Sequence, residues 1–295
     1  MSTAGRTFAQ AKVNLALRIL GRNPDGYHSI ETVFLRLELA DSVTVRITDG
    51  KRSLRCDAMA GEKVENNLGF RAAVSFAEAA GWPRGFDIRI EKQIPLAGGL
   101  GGGSADAGGV LRILNALSPR PLSSDQLLQL AARLGADVPF ITGEHVMALG
   151  WDRGEKLEPL PPLSQRNLAL LVPPVGMSTA DAYAQVAAAR GSYGARPRSL
   201  TPEMFASWDH AARHSVNEFE PFVGDSFPDM RSWLEVGARL GLLTRLSGSG
   251  STVFLVDAGT KDSLQAAIAS LGLGADTTVI RTRTAASVVP VEILD

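Results

Sequence analysis

The residues that first suggest chemistry are PLAGGLGGGSADAGG, 95–109. Five of the six residues from Gly98 to Gly103 are glycine. Glycine loses more backbone freedom on folding than any other residue, so such a run opposes order unless bare backbone is needed there. The run lies directly between a strand-like stretch, FDIRIEKQI, and a helix-like stretch opening at Ser104. A linker joins domains at a break in composition, whereas this run joins neighbouring elements of one domain. Unpaired N–H groups at a helix N-terminus, with the positive end of the helix dipole, bind an anion, typically phosphate. Glycines let the main chain wrap those oxygens closely. No Gly-Lys-Ser/Thr follows, which excludes a Walker A loop, and Asp106 stands where the last glycine of a dinucleotide fingerprint would fall. The protein-kinase motifs are also missing. The loop therefore lacks its usual lysine, which must come from elsewhere.

Lys12 is one source. KVNLALRIL, 12–20, alternates, with Val13, Leu15, Leu17 and Ile19 on one face and Lys12, Asn14, Ala16 and Arg18 on the other. That pattern predicts a half-buried strand with an ammonium and an amide side by side. Asp137, in GADVP, falls just past a predicted helix C-terminus, where the negative dipole end disfavours a carboxylate. A cation should compensate it, and Lys12 is a natural partner. On spacing alone, a structural ion pair or two unrelated solvated charges is the more frequent arrangement. NPDG, 23–26, suits a type I turn with Pro24 and Gly26 at its second and fourth positions, and delivers Tyr27 and His28 into a loop.

The elements around these residues are legible. SVTVRIT and FDIRIE alternate as strands. After Asn66 and Asn67, a helix with Phe70, Ala73, Val74 and Ala77 on one side should end near Gly81. Val110, Leu111, Leu114 and Leu117 form a helical stripe behind the glycine run. Ser123 and Gln126 have capping-box spacing, and Gly135 closes that helix. Gly108 and Gly109 cost the loop helix about 1 kcal/mol each relative to Ala, a cost that close packing would justify. DRGEKLEPLPPLSQRN, 152–167, changes composition and marks a domain boundary. Beyond it, helices are predicted near 179–190, 229–240 and 262–271, and strands near 168–172, 252–256 and 278–284. ARGSYGARPRSL, 189–200, matches no motif.

Composition narrows the class. The 295 residues are 45% hydrophobic and 21% charged, as in an ordinary globular protein long enough for two domains. A net charge of −1 gives no basic face for nucleic acid. The lone cysteine, Cys56, excludes an intrachain disulfide and a cysteine-cluster metal site, and the four histidines show no ligand spacing. The apolar N-terminal stretch is broken by Lys12, Asn14 and Arg18, so no signal-peptide core forms. LALLVPPVGM is too short and too proline-broken to span a bilayer. A cytoplasmic protein with no membrane or nucleic-acid partner is expected.

AKVNLAL, PLAGGLGGGSADA and LSGSGSTVF, in that order, resemble the three motifs of the GHMP kinases: galactokinase, homoserine, mevalonate and phosphomevalonate kinases. RNPDGYHSIETVF and LGADVPF resemble one branch of them, which acts on cytidine-diphosphate-methylerythritol. The resemblance implies an α+β chain of two domains. Residues 1–155 would form a ribosomal-protein-like ATP-binding domain with a left-handed βαβ crossover, and residues 156–295 a ferredoxin-like domain. It implies ATP and Mg²⁺ as cofactors, a small-molecule alcohol as substrate, and leaves a homodimer open. Lys12 and Asp137 fall on the family's catalytic lysine and aspartate. Asp137 would orient or deprotonate the attacking hydroxyl, and Lys12 would offset phosphoryl charge. Pro95, Leu96 and Ala97 lead into the phosphate loop, Gly98, Gly99, Leu100, Gly101, Gly102 and Gly103 form it, and Ser104 and Ala105 open its helix. Asn67 takes the nucleotide side or caps a helix, and Ser104 is the protein's nearest oxygen to a metal. Tyr27 and Tyr183 would sandwich the pyrimidine while His28 reads its edge. Asn14, Thr179 and Gly248 complete the substrate side. The alternatives are another small-molecule kinase of the superfamily, of homoserine or mevalonate type, a non-catalytic nucleotide sensor, and an RNA-binding module.

Overall fold

The computed structural model describes residues 3–23, 26–59, 61, 63–190, 195–222, 227–257 and 261–294. Pro24 and Asp25 of the expected turn, and 191–194 of the unassigned segment, lie outside them.

Two long antiparallel strands organise the first half, β1 (Ala4–Arg22) and β2 (His28–Thr48). Then follow β3 (Arg52–Cys56), α1 (Leu68–Ala80) and β4 (Gly85–Glu91), with β3 and β4 parallel. α2 (Gly102–Leu117), α3 (Ser124–Leu134) and α4 (Val138–Thr142) precede the hairpin of β5 (Met147–Asp152) and β6 (Lys156–Pro159). β2 is long enough to pair twice along one edge, with β5 through its first half and with β4 through its second. β11 (Glu292–Leu294) returns to pair with β1, completing a seven-stranded sheet.

The second sheet comprises β7 (Asn167–Val172), β8 (Leu243–Leu246), β9 (Val253–Val256) and β10 (Thr278–Arg283). Its order is β10-β7-β9-β8, antiparallel throughout, which is the split βαβ arrangement of a ferredoxin-like layer. α5 (Thr179–Arg190), α6 (Trp208–His214), α7 (Pro228–Arg239) and α8 (Lys261–Ser270) complete it. The expected division at residue 155 falls inside the β5–β6 hairpin. The expected second domain also lends β11 to the first sheet, because β1 needs a partner along its outer edge.

β1 departs from its half-solvated pattern. Lys12, Asn14 and Ala16 are as buried as Val13 and Leu15. Register shifts between Gln10 and Lys12 and between Asn14 and Ala16 bracket the polar pair. Such bulges re-aim side chains, and here the polar face meets the glycine loop and not solvent: a Cβ on Gly101 would lie 3.1 Å from Lys12 Cε. The two helix glycines prove to be contact points. A Cβ on Gly108 would come within 2.8 Å of Ile141 in α4, and one on Gly109 within 3.2 Å of Ala9 in β1. α1 is capped by Asn67 and stopped by left-handed Gly81 (φ 64°), and α3 carries its capping box.

Candidate active site

A cleft of about 1520 Å³ opens between the layers, lined by the glycine loop, Lys12, Asn14, Asp137, the Tyr27–His28 loop, α5 and Gly248–Ser249. The glycine run is ordered. Ala97, Gly99 and Gly101 have φ of 54°, 74° and 73°, and the residues between them do not. Alternation of this kind turns successive peptide N–H groups into one concavity, a form suited to anions. α2 then starts at Gly102, two residues before Ser104, because its first N–H groups need no partner within the helix and glycine there leaves them uncovered. A Cβ on Gly103 would meet nothing within 4 Å, whereas one on Gly99 would lie 2.1 Å from the Ser247 carbonyl oxygen. The third motif therefore grips the loop. Ser247 Oγ donates to Gly99 O (2.9 Å) and Thr252 N to Gly98 O (3.2 Å).

Lys12 Nζ lies 3.2 Å from Asp137 Oδ2, and its main-chain N–H donates to Leu100 O at 3.0 Å, so one residue ties the loop to the carboxylate. The ammonium side chain is 4% exposed and the carboxylate 30%. Lys12 Nζ also donates to Asn14 Oδ1 (2.8 Å), and Asn14 Nδ2 donates to Thr32 Oγ1 (2.7 Å). The Asn14 amide is thus engaged at both ends in holding Lys12, on a wall of the same cleft. Asp137 lies past the end of α3, as expected, and also immediately before α4, so the start of a second helix offsets the unfavourable dipole. Arg36 anchors that short helix from below. Its guanidinium donates to the carbonyls of Phe140 (2.8 Å) and Gly143 (3.2 Å).

At the far end, the His28 ring stacks on Tyr183 (centroids 4.3 Å apart, 10° between planes), and Phe219 meets Tyr183 edge-on at 4.9 Å. Burial, then Arg22, lowers the His28 pKa, and among the described residues its buried Nε2 has no hydrogen-bond partner. Tyr27 is 57% exposed, with the Arg153 guanidinium 3.9 Å from its ring centroid. The two tyrosines line one cleft, but the expected sandwich is not preformed, because His28 occupies a face of Tyr183. Thr179 Oγ1 and Ser249 Oγ, both on the cleft wall, lie 3.0 Å apart. Gly248 (φ 58°) shares that wall, its carbonyl held by Asn217 Nδ2 at 2.8 Å.

The profile of the GHMP kinases N terminal domain matches residues 67–144, and that of the GHMP kinases C terminal domain matches residues 197–272. A 4-diphosphocytidyl-2-C-methyl-D-erythritol kinase of Desulfitobacterium hafniense is 38% identical over 267 residues, covering 84% of this chain and 85% of the relative. One of Pelotomaculum thermopropionicum is also 38% identical, covering 88% and 91%. A crystal structure of 4-(cytidine 5'-diphospho)-2C-methyl-D-erythritol kinase superposes with a TM-score of 0.76 at 33% identity, covering 95% of this chain and 98% of that one. The chain belongs to this branch of the GHMP kinases. A homoserine kinase structure from Cytophaga hutchinsonii, at 18% identity and TM-score 0.72, shares the fold.

ATP is expected of a GHMP kinase, and of the residues the resemblance places on its nucleotide side, Pro95 through Ser104 line the cleft. Two expected nucleotide residues do not. Asn67 is buried, and its Oδ1 accepts from Gly69 N (2.9 Å) and Phe70 N (3.3 Å), so the cap reading describes its geometry; Leu68 and Arg71 reach the cleft in its place. Ala105 is fully buried, and its N–H is engaged by Gly101 O. Among the described residues no three His, Cys, Asp or Glu side chains converge on a metal position. Ser104 and Asp137 are oxygen donors lining the phosphate end of the cleft.

Behind the loop, Lys92 Nζ is held by Asp41 (2.6 Å) and Asp106 (2.8 Å), all three buried. Asp41 also accepts from the N–H groups of Gln93 and Ile94, fixing the approach to Pro95. Sequence reading missed this cluster, together with Arg36, Arg153 and Asn217. For Lys92 and Asp106 a signal existed: a charge on each side of the glycine run, in otherwise apolar company.

Proposed function

We propose that this cleft transfers the γ-phosphoryl group of ATP to the 2-hydroxyl of 4-diphosphocytidyl-2-C-methyl-D-erythritol, a step of non-mevalonate isoprenoid precursor synthesis. The observation that carries the reading is the 3.2 Å Lys12–Asp137 pair, set between the glycine loop and the aromatic pocket. Phosphoryl transfer depends mainly on alignment and charge stabilisation. Asp137 accepts a hydrogen bond from the attacking hydroxyl and orients it towards the γ-phosphorus. Lys12, held by Asn14, which Thr32 fixes in turn, pairs with the Asp137 carboxylate and faces the charge that develops on the transferred group. The N–H groups of the loop and of the first turn of α2 hold the triphosphate. Ser104 and Asp137 are the side-chain oxygens that would lie beside a triphosphate-bound Mg²⁺, which would supply charge neutralisation on the leaving ADP.

At the other end, Tyr183 and Tyr27 offer aromatic surface to the cytosine, and His28 Nε2, buried and without a hydrogen-bond partner among the described residues, meets its polar edge once the ring shifts off Tyr183. A base entering between the tyrosines must take the place of His28 on Tyr183 or bind on the Tyr27 side of it. The buried thiol of Cys56 suits a reducing, cytoplasmic setting, and no described helix is long and apolar enough to cross a membrane.

ATP consumption with the cytidine substrate, mevalonate and homoserine, each with and without Mg²⁺, tests the reading. Turnover with the first alone supports it. Turnover with another alcohol keeps the kinase and removes the cytidine pocket, and no turnover with any of them sinks both.

A further inference from the structure

The segment 195–200 matches no motif, yet charge ties it firmly to the strand that carries Lys12. The centre of that tie is Glu218, whose side chain is 12% exposed. Its Oε2 accepts from the N–H of Ile19 and from Arg190 Nη2, both at 2.9 Å. Its Oε1 accepts from Arg196 Nη1 at 2.9 Å and lies 3.6 Å from Arg18 Nε. Arg18 is shared with Glu31 (2.6 Å), a buried carboxylate that also accepts from the N–H groups of Ser199 (2.8 Å) and Leu200 (3.0 Å). Two carboxylates thus hold β1, β2, the 195–200 segment and the end of α5 together.

Both sequence neighbours of Glu218 bear on the cleft wall, Asn217 through Gly248 beside Lys12 and Phe219 at the Tyr183 end. Asn217 forms a bridge with Leu17 and holds the Gly248 carbonyl, and Phe219 meets Tyr183 edge-on. α5, which carries Tyr183, buries only Ala182 and Val186. Two small apolar contacts fix a twelve-residue helix poorly. Among the described residues, further contacts are spaced along it: Thr179 to Ser249, Tyr183 on His28 and against Phe219, and Arg190 to Glu218 and to the Ile19 carbonyl.

We propose that Glu218 is a positioning residue for the base pocket: by holding Arg190 it fixes α5, and with it the Tyr183–His28 stack at which the cytosine ring is received. The inference rests on the function proposed above. Its charge state agrees with the geometry. Burial opposes ionisation, but the Ile19 N–H and the arginines outweigh it, and the carboxyl is held below the usual range.

Steady-state kinetics on the full chain test it, with wild type, Glu218→Gln, Glu218→Asp and Arg190→Gln compared at matched folded fraction. Glu218→Gln should raise KM for the cytidine substrate about tenfold, in the range of coupled contacts, and leave KM for ATP within about twofold. Glu218→Asp, which keeps the charge, should recover part of that loss. Arg190→Gln should show the same split with a smaller rise, and it decides the matter alone if Glu218→Gln does not fold. A folded Glu218→Gln with an unaltered KM for the cytidine substrate overturns the proposal. So does an equal rise in both KM values, which is the mark of general loosening. A wild-type protein that does not turn over the cytidine substrate removes the proposed function itself and this inference with it.

Discussion

A buried and a half-buried ionic cluster stand behind the two ends of the cleft, and they are built with opposite charge balance. Behind the phosphate loop, two carboxylates, Asp41 and Asp106, share one ammonium, Lys92. Behind the Tyr183 end, three arginines, Arg190, Arg196 and Arg18, meet two carboxylates, Glu218 and, through Arg18, Glu31. The first has a surplus of negative charge. Burial, moderated by Lys92 and increased by Asp41, raises Asp106 to about 7, and its Oδ1 has no hydrogen-bond partner. The second has a surplus of positive charge, and Glu218 is held low. Clusters that look alike as structural ion pairs therefore respond to pH in opposite senses. Asp106, with its folded pKa above the unfolded 3.8, contributes stability that is present below that value and lost as pH rises through about 7. Glu218, with its folded pKa below the unfolded 4.5, contributes stability that is present above that value and lost as pH falls below it.

The largest effect is expected where the two ends meet. Asp137→Asn should lower kcat about a thousandfold, with little change in either KM, because it removes the group that orients the hydroxyl and leaves both binding ends intact. Near-normal turnover would detach the pair from the chemistry. Gly99→Ala should act on the nucleotide end alone. Its φ of 74° and the 2.1 Å approach to Ser247 O force the loop off the third motif, so KM for ATP should rise about tenfold or more. An equal rise for the cytidine substrate would mean that the two ends are one mechanical unit. Tyr27→Ala should act on the other end alone, raising KM for the cytidine substrate up to about tenfold through lost ring contact and sparing ATP. Equal effects on both would make Tyr27 structural. The smallest effect is thermal. The melting temperature of Asp106→Asn should gain on wild type by about 2 °C between pH 5 and pH 8, since the variant has no carboxylate to ionise there. Parallel curves would remove the charge imbalance behind the loop.

What could be read from the sequence was what neighbouring residues decide. The Asn67 cap, the Ser123–Gln126 box, the Gly81 stop and the helices at 179–190, 229–240 and 262–271 each depend on residues within a few positions, and each is present within two residues of its expected place. The glycine run was legible as a bare-backbone loop between a strand and a helix for the same reason. The first half of β2, its partner β5 and the return of β11 depend on strands far along the chain, and nothing local announces them. β6 and β8 pair with their neighbours β5 and β9, but at four residues each they are too short to show a period. The site divides in the same way. Lys12 and Asp137 are 125 positions apart, and dipole and spacing gave only a reason to pair them; the motif resemblance singled them out. Glu218 is invisible in VNEFEPF, since its meaning lies in Ile19 and Arg18, about two hundred residues away. Asn14, which the resemblance places on the substrate side, lines the cleft and also accepts a hydrogen bond from Lys12, a contact that the alternation of β1 foreshadows.

The return of the last strand also bears on how the chain is made. β1 finds its outer partners late in the sequence: Asn217 beside Leu17, the 287–290 segment on Thr7 and Gln10, and β11 beside Ala4–Arg6. During synthesis the first sheet can close around α2 while that edge still shows unpaired amides and carbonyls. An edge of this kind invites pairing with other chains until it is covered. The nascent enzyme thus passes through a stage in which its nucleotide loop is built but its oldest strand is unguarded. That stage ends only when residues 292–294 have left the ribosome.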